Sequence, residues 1–175
     1  MIATLNDVIR AAGIMKTVRR SGWVKKAGIE NAESVADHSY RMALVGVIFG
    51  TDLELDACKI ARMCLIHDLA ESQIGDLMPE EKKNELDHRR REDASIKKIL
   101  ARLPIKSRRV LNADWKELIG SKSEEAKLVW QLDKLEMGLQ MKDYIASGYS
   151  SKRLKQFDPS SLLTEKTKHV LQQYH

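Results

Sequence analysis

The sequence predicts an all-α fold of six or seven helices in one domain. Three observations carry this. Apolar residues recur at three- and four-residue spacing along most of the chain, no segment sustains period-two alternation, and the 175 residues are rich in Leu, Ala, Lys, Glu, Arg and Met, with only nine glycines and three prolines to interrupt them. A chain of this length suits one domain and buries a core without disulfides or a metal staple.

The elements follow in order. Asn6 or Asp7 caps a first helix running to about Val18, with Val8, Ile9, Ala12 and Met15 on its apolar face. RRSGWVKKAGIENAES then loses the period and reads as a loop of about fourteen residues, a length that is often functional. Ser34 and Asp37 form a capping box for a second helix, VADHSYRMALVGVIFG. A third starts near Leu55-Asp56 and turns Ala57, Ile60, Ala61, Cys64 and Leu65 to the core, with Gly75 and Pro79 punctuating its end.

Pro79, Glu80 and Glu81 suit the first turn of a charged helix whose apolar positions, Ile96, Ile99, Leu100 and Leu103, come late. Pro104 and Ser107 begin another, near Ser107 to Ile119, closed by Gly120. Ser123 opens the longest helix, with Leu128, Leu132, Leu135 and Leu139 as its stripe. Asp158-Pro159-Ser160 is a turn, and a last helix starts at about Ser161.

Composition narrows the class. The formal charge of +5 tolerates anionic ligands without implying nucleic acid. The N-terminus has no basic stretch followed by an apolar one, and no apolar run approaches the ~20 residues of a membrane span, so a cytoplasmic protein is expected. Cys58 and Cys64, six apart, point to different faces of a helix and read as buried free thiols in a reducing compartment.

The chemistry lies in polar residues that interrupt apolar helical faces. His38 sits near the start of the second helix, His67 and Asp68 near the end of the third, and Asp133 inside LVWQLDKLEM. Such groups are costly to bury alone, so they pair, hydrogen-bond or bind metal. One of them by itself reads as structural. Two His and two Asp from three helices can instead converge on one point, as bundle metal sites do. Imidazole with carboxylate suits Mn, Fe, Co, Ni or Zn, with Mg as a further option. Glu71 lies at i+4 from His67 and i+3 from Asp68, which places it on their side of the chain as a second-ion ligand, water-orienting group or general base. Asp76, past Gly75, can point into the same cavity. His88, in ELDHRRRED, and the whole charged run 81–93 read as a solvated face, although that run could also edge an interface or a substrate entrance; His169 and His175 have no acidic company.

At these residues the sequence resembles the HD-domain metal-dependent phosphohydrolases, with His38, His67-Asp68 and Asp133 as the ordered set. RSGWV, ESVADHSYRMA, HDLAESQIGD and QLDKLEM are similar to the 5′-deoxynucleotidase branch, and the likeness runs from about Leu5 to Lys152. It implies a single HD-type helical domain over 1–175, with core motifs at about 20–140 and a C-terminal helix at about 160–174.

The resemblance further implies a homodimer that removes phosphate from deoxyribonucleoside 5′-monophosphates with a divalent ion, which the ligand chemistry above leaves as Mn, Co, Mg, Fe, Ni or Zn. His38, His67, Asp68 and Asp133 would be the ligands. Glu71 and Asp76 would hold a second ion or activate water, with Asp76 also near the sugar. Trp23 matches the family's substrate-loop tryptophan, either stacking on the nucleoside or plugging the core beneath the loop. Arg20 or Arg19 would take the phosphate, because the family's Arg-Trp pair is here Arg20-Ser21-Gly22-Trp23. Other HD-type activities (triphosphohydrolase, cyclic phosphodiesterase, (p)ppGpp hydrolase) are disfavoured by the small size. A non-enzymatic basic module that binds nucleic acid leaves the interrupting acids unexplained.

Overall fold

A computed structural model describes residues 4–82 and 84–174; 1–3, Lys83 within the charged run, and His175 lie outside the described residues. Among the described residues nine α-helices follow one another: α1 Asn6–Met15, α2 Val35–Asp52, α3 Ala57–Ile66, α4 Glu71–Ile74, α5 Glu85–Leu100, α6 Ile105–Gly120, α7 Glu124–Ala146, α8 Ser151–Leu154 and α9 Glu165–Gln173. The described residues contain no β-strand; one isolated antiparallel bridge joins Arg19 to Ser34. The expected six or seven helices become nine because the four-residue turns α4 and α8 stand apart from their neighbours.

Caps set the boundaries. Ser34 and Asp37 form the expected capping box on α2, and the Asp56 and Ser123 side chains accept from the backbone at the starts of α3 and α7. Elsewhere the chain departs from the reading above. α1 begins after Leu5 without a side-chain cap and ends at Met15. It buries Ala11 and Met15, leaving Ile9 and Ala12 exposed. Pro79–Glu81 is only a 3-10 turn; α5 starts later because Asn84 accepts from the backbone of Leu86 and Asp87. α6 starts at Ile105, directly after Pro104. Its left-handed cap is Ser121, at φ 48°, not Gly120. α9 starts at Glu165, not Ser161. Cys58 and Leu65 are exposed while Cys64 is buried, so the core face of α3 runs through Ile60, Met63 and Cys64.

α7 runs through the bundle against α2, α3, α6 and α9, and its stripe Leu128, Leu132, Leu135 and Leu139 is buried in the main core. α2 and α3 pack closely because α2 carries glycine where they meet. A Cβ on Gly46 would stand 2.9 Å from Ile60, and one on Gly50 2.9 Å from the Ala57 backbone. This closeness brings the start of α2 and the end of α3 to the middle of α7. The segment between α1 and α2 leaves the main core. Its base is closed by Arg20 N–H donating to Glu33 C=O (3.1 Å) and Val35 N–H to Val18 C=O (2.9 Å). Its middle, including a π-helical turn Trp23–Ala27, rests on a separate cluster with Met141, Tyr144 and Leu154.

Candidate active site

His38, one turn into α2, His67, which caps the C-terminus of α3, and Asp133, mid-way along α7, bring ligand atoms within 4.8 Å of one another. The two imidazoles face each other, Nε2 to Nε2, at 3.3 Å. Asp133 Oδ1 lies 3.3 Å from His38 Nε2, and Asp68 Oδ2 lies 3.0 Å from His67 Nε2. The structure therefore places all four sequence-predicted ligands at one point.

The far side of each ring shows what that point can hold. His67 Nδ1 is 2.7 Å from the Cys64 carbonyl, which only accepts, so Nδ1 carries the proton and Nε2 presents a lone pair. His38 Nδ1 meets Glu136. Burial works against ionising Glu136, but His38 and Arg41 outweigh it and hold its carboxyl below the usual range, so it too acts as an acceptor. Two imidazole lone pairs and two carboxylates thus converge on one spot. Such a donor set favours a cation, and Arg20 supplies one at its edge. Neighbours about 3 Å apart also suit one ion with ~2.1 Å bonds to its ligands. Without an ion, a proton takes that place on His38. Burial and Arg20 push His38 down, yet Asp133 and Glu136 lift it to about 9. Asp68 and Asp133 are held well below ordinary carboxylates despite their burial, Asp68 chiefly by His67 and Asp133 chiefly by His38. A second acidic group, Glu33, His38 and Glu136, has the spacing for an ion, but His38 Nδ1 is already committed to Glu136 there.

Around this cluster opens a cavity of about 450 Å³, within the range of small-molecule sites. Glu71 opens α4 and lines it; burial, then Asp68 and Asp76, push its carboxyl well above the usual range. Gly75, at φ 77°, turns the chain so that Asp76 returns to the cavity, where it accepts from the Ser21 backbone N–H. Arg20 reaches in from the loop, 3.0 Å from Asp68, 3.9 Å from Asp133 and 4.0 Å from Asp76. Trp23 is only 3% exposed and lies against Phe157 and Tyr144, with its indole N–H donating to Glu33 at 3.0 Å. It plugs the small cluster beneath the loop and also lines the cavity. Arg19 goes elsewhere. Its guanidinium donates to the Ala32 carbonyl and its side chain is exposed, so of the two candidate arginines Arg20 alone lines the cavity.

Sequence reasoning missed several neighbours. Glu136 sits one turn beyond Asp133 and receives Arg41 through Nε and Nη2 at 2.9 and 2.7 Å. Their signals were present, since Glu136 interrupts the same apolar stripe and Arg41 stands at i+3 from His38. Lys134 binds Asp133 at 2.8 Å. His88 is not solvated; it is 8% exposed and lines the cavity with Glu92.

The HD domain family matches residues 12–173. The chain is 37% identical over 159 residues to a 5′-deoxynucleotidase of Homo sapiens, covering 90% of this chain and 76% of that protein. It is 41% identical over 143 residues to the mouse counterpart, covering 81% and 70%. Among solved structures it is similar to a conserved hypothetical protein of Pyrococcus furiosus, with a TM-score of 0.78 and 29% identity over 96% of this chain and 97% of that one.

Proposed function

Because the chain belongs to the HD-domain family, and within it to the 5′-deoxynucleotidases, we propose that it hydrolyses deoxyribonucleoside 5′-monophosphates to deoxynucleoside and phosphate. The observation that carries this reading is the convergence of both imidazole lone pairs with Asp68 and Asp133 beside Arg20 at the floor of the cavity. His38, His67, Asp68 and Asp133 would hold a divalent ion from among Mn, Co, Mg, Fe, Ni and Zn. When bound, such an ion supplies Lewis-acid activation of the phosphoryl group and of the attacking water.

The chain's own residues do the rest. Arg20 exchanges its carboxylate partners for phosphoryl oxygens and fixes the ester in the cavity. Glu71, whose burial raises its proton affinity, takes the proton of the attacking water as the new P–O bond forms and gives it to the departing 5′-oxygen, which leaves as the deoxynucleoside hydroxyl. Asp76 holds the loop through the Ser21 N–H and stands beside the sugar. Trp23 limits the space for the nucleoside with a face that tolerates different bases. Glu136, backed by Arg41, fixes the His38 tautomer.

The chain is read as one domain and as a cytoplasmic protein; among the described residues no helix is long and apolar enough to cross a membrane. We also infer a homodimer. Tyr40, Leu44, Val47 and Ile48 form an exposed apolar stripe along α2, a surface that supports self-association.

Phosphate release from a panel of deoxynucleotides, with and without Mn or Co, tests the activity. Metal-dependent release is expected, abolished in Asp68→Ala. Release that is no greater than this variant's with every metal would overturn the reading.

A further inference from the structure

Three buried polar side-chain atoms have no partner among the described residues: Ser21 Oγ, Glu71 Oε2 and His88 Nδ1. All three belong to residues that line the cavity beside the His/Asp cluster. An unpaired buried polar atom is expensive, so natural proteins keep few and use them. Their concentration here marks the positions that a polar ligand satisfies. Glu71 already belongs to the proposed hydrolytic machinery, and Ser21 lies between Arg20 and Trp23. His88 is different. It comes from α5, which contributes none of the cation-facing residues.

The chemistry of His88 follows from its partner among the described residues. Nε2 lies 3.0 Å from Glu92 Oε1, one turn along the same helix. A carboxylate oxygen accepts, so Nε2 carries a hydrogen, and in the neutral ring Nδ1 is left as a lone-pair acceptor. That nitrogen needs a donor. A phosphate dianion has none. A deoxynucleotide offers its sugar 3′-hydroxyl and whatever N–H groups its base carries, and only the hydroxyl is common to every base.

We propose that His88 contacts substrate, accepting the hydrogen bond of the sugar 3′-hydroxyl at Nδ1, with Glu92 as the positioning residue that fixes its tautomer. The inference rests on the deoxynucleotide reading above, but it concerns binding and is separable from hydrolysis.

Thymidine and 3′-deoxythymidine test it, because neither has a phosphate to lose. The Mn-loaded protein is titrated with each by calorimetry. The 3′-deoxy compound is expected to bind about tenfold more weakly, the value of one ordinary hydrogen bond. In His88→Phe the two should bind equally. In His88→Asn, whose side-chain carbonyl stands near the Nδ1 position, part of the discrimination should return, and Glu92→Gln should reduce it without abolishing it. Circular dichroism shows that each variant is folded. The proposal is overturned if wild type does not distinguish the nucleosides or binds neither, or if His88→Phe keeps the wild-type ratio. It is also overturned if His88→Phe weakens binding of nucleotides but not of nucleosides, which would place the residue on phosphate. Absence of phosphate release from deoxynucleotides would instead remove the hydrolytic reading alone.

Discussion

His38, His67 and Asp133 stand on α2, α3 and α7, helices whose inner faces belong to the main core, whereas Arg20 and Trp23 ride on a loop supported by a small cluster of its own. The first wall is fixed by Gly46 and Gly50 drawing α2 onto α3, and by ring tautomers locked from behind by Cys64 and Glu136. The second is held by fewer links: the Arg20 to Glu33 backbone bond, the indole–Glu33 bond, and the rings of Tyr144 and Phe157. A site divided this way fixes its cation-facing ring and carboxylate atoms on the bundle and leaves adjustment to the wall that carries Arg20 and Trp23. Damage to the two walls should therefore differ in kind.

The largest effect belongs to the rigid wall. Asp68→Ala should lower kcat/KM by about 10³-fold or more while the fold persists, since the loss falls on chemistry. Steady-state phosphate release with a parallel thermal melt checks this; a matching loss of stability would mean that the acid is structural.

Trp23→Ala should do the reverse. Emptying the small cluster should cost about 3–5 kcal/mol of stability by denaturant titration. Trp23→Phe keeps most of the packing but loses the Glu33 bond, so its effect should fall mainly on KM.

Glu136→Gln stands between the walls. It loosens the His38 tautomer and should lower metal affinity about 10- to 100-fold, measured by competition with a chromophoric chelator. An unchanged affinity would mean that the tautomer is set elsewhere.

The smallest effect is a pH slope. Burial and then Glu136 raise Glu33 to about 7. Between pH ~4.5 and 7 the folded chain then holds a proton that the unfolded chain has released. The stability of the metal-free protein should consequently fall as pH rises through this window. Glu33→Gln should flatten the slope, as read by urea titrations at several pH values.

The two walls also differed in how far the sequence revealed them. His38, His67, Asp68 and Asp133 were legible because each interrupts an otherwise apolar helical pattern, where a polar group needs a reason. Glu136 and Arg41 interrupt or flank the same patterns, but their role depends on which ring nitrogen faces outward, and only coordinates show that. The loop wall was less legible. Arg19 and Arg20 are adjacent and chemically identical, and the backbone bridge at Ser34 decides which enters the cavity. His88 was misread because its neighbours are charged; periodicity reports the average face of a helix, not one residue turned into a cleft. Leu65 fell to the same limit, a rotation of α3 smaller than one residue's arc, whereas Cys58 was read as buried from its residue type although it stands on a different face from Cys64. Helix starts slipped where a cap outside the apolar pattern decided them, as Asn84 does for α5.

The proposed chemistry requires a cation among His38, His67, Asp68 and Asp133. Anomalous diffraction from Mn-soaked crystals measures this most directly. The expected result is a peak bonded to His38 Nε2, His67 Nε2 and carboxylate oxygens of Asp68 and Asp133. A peak bonded elsewhere, or none there at saturating Mn, would contradict it.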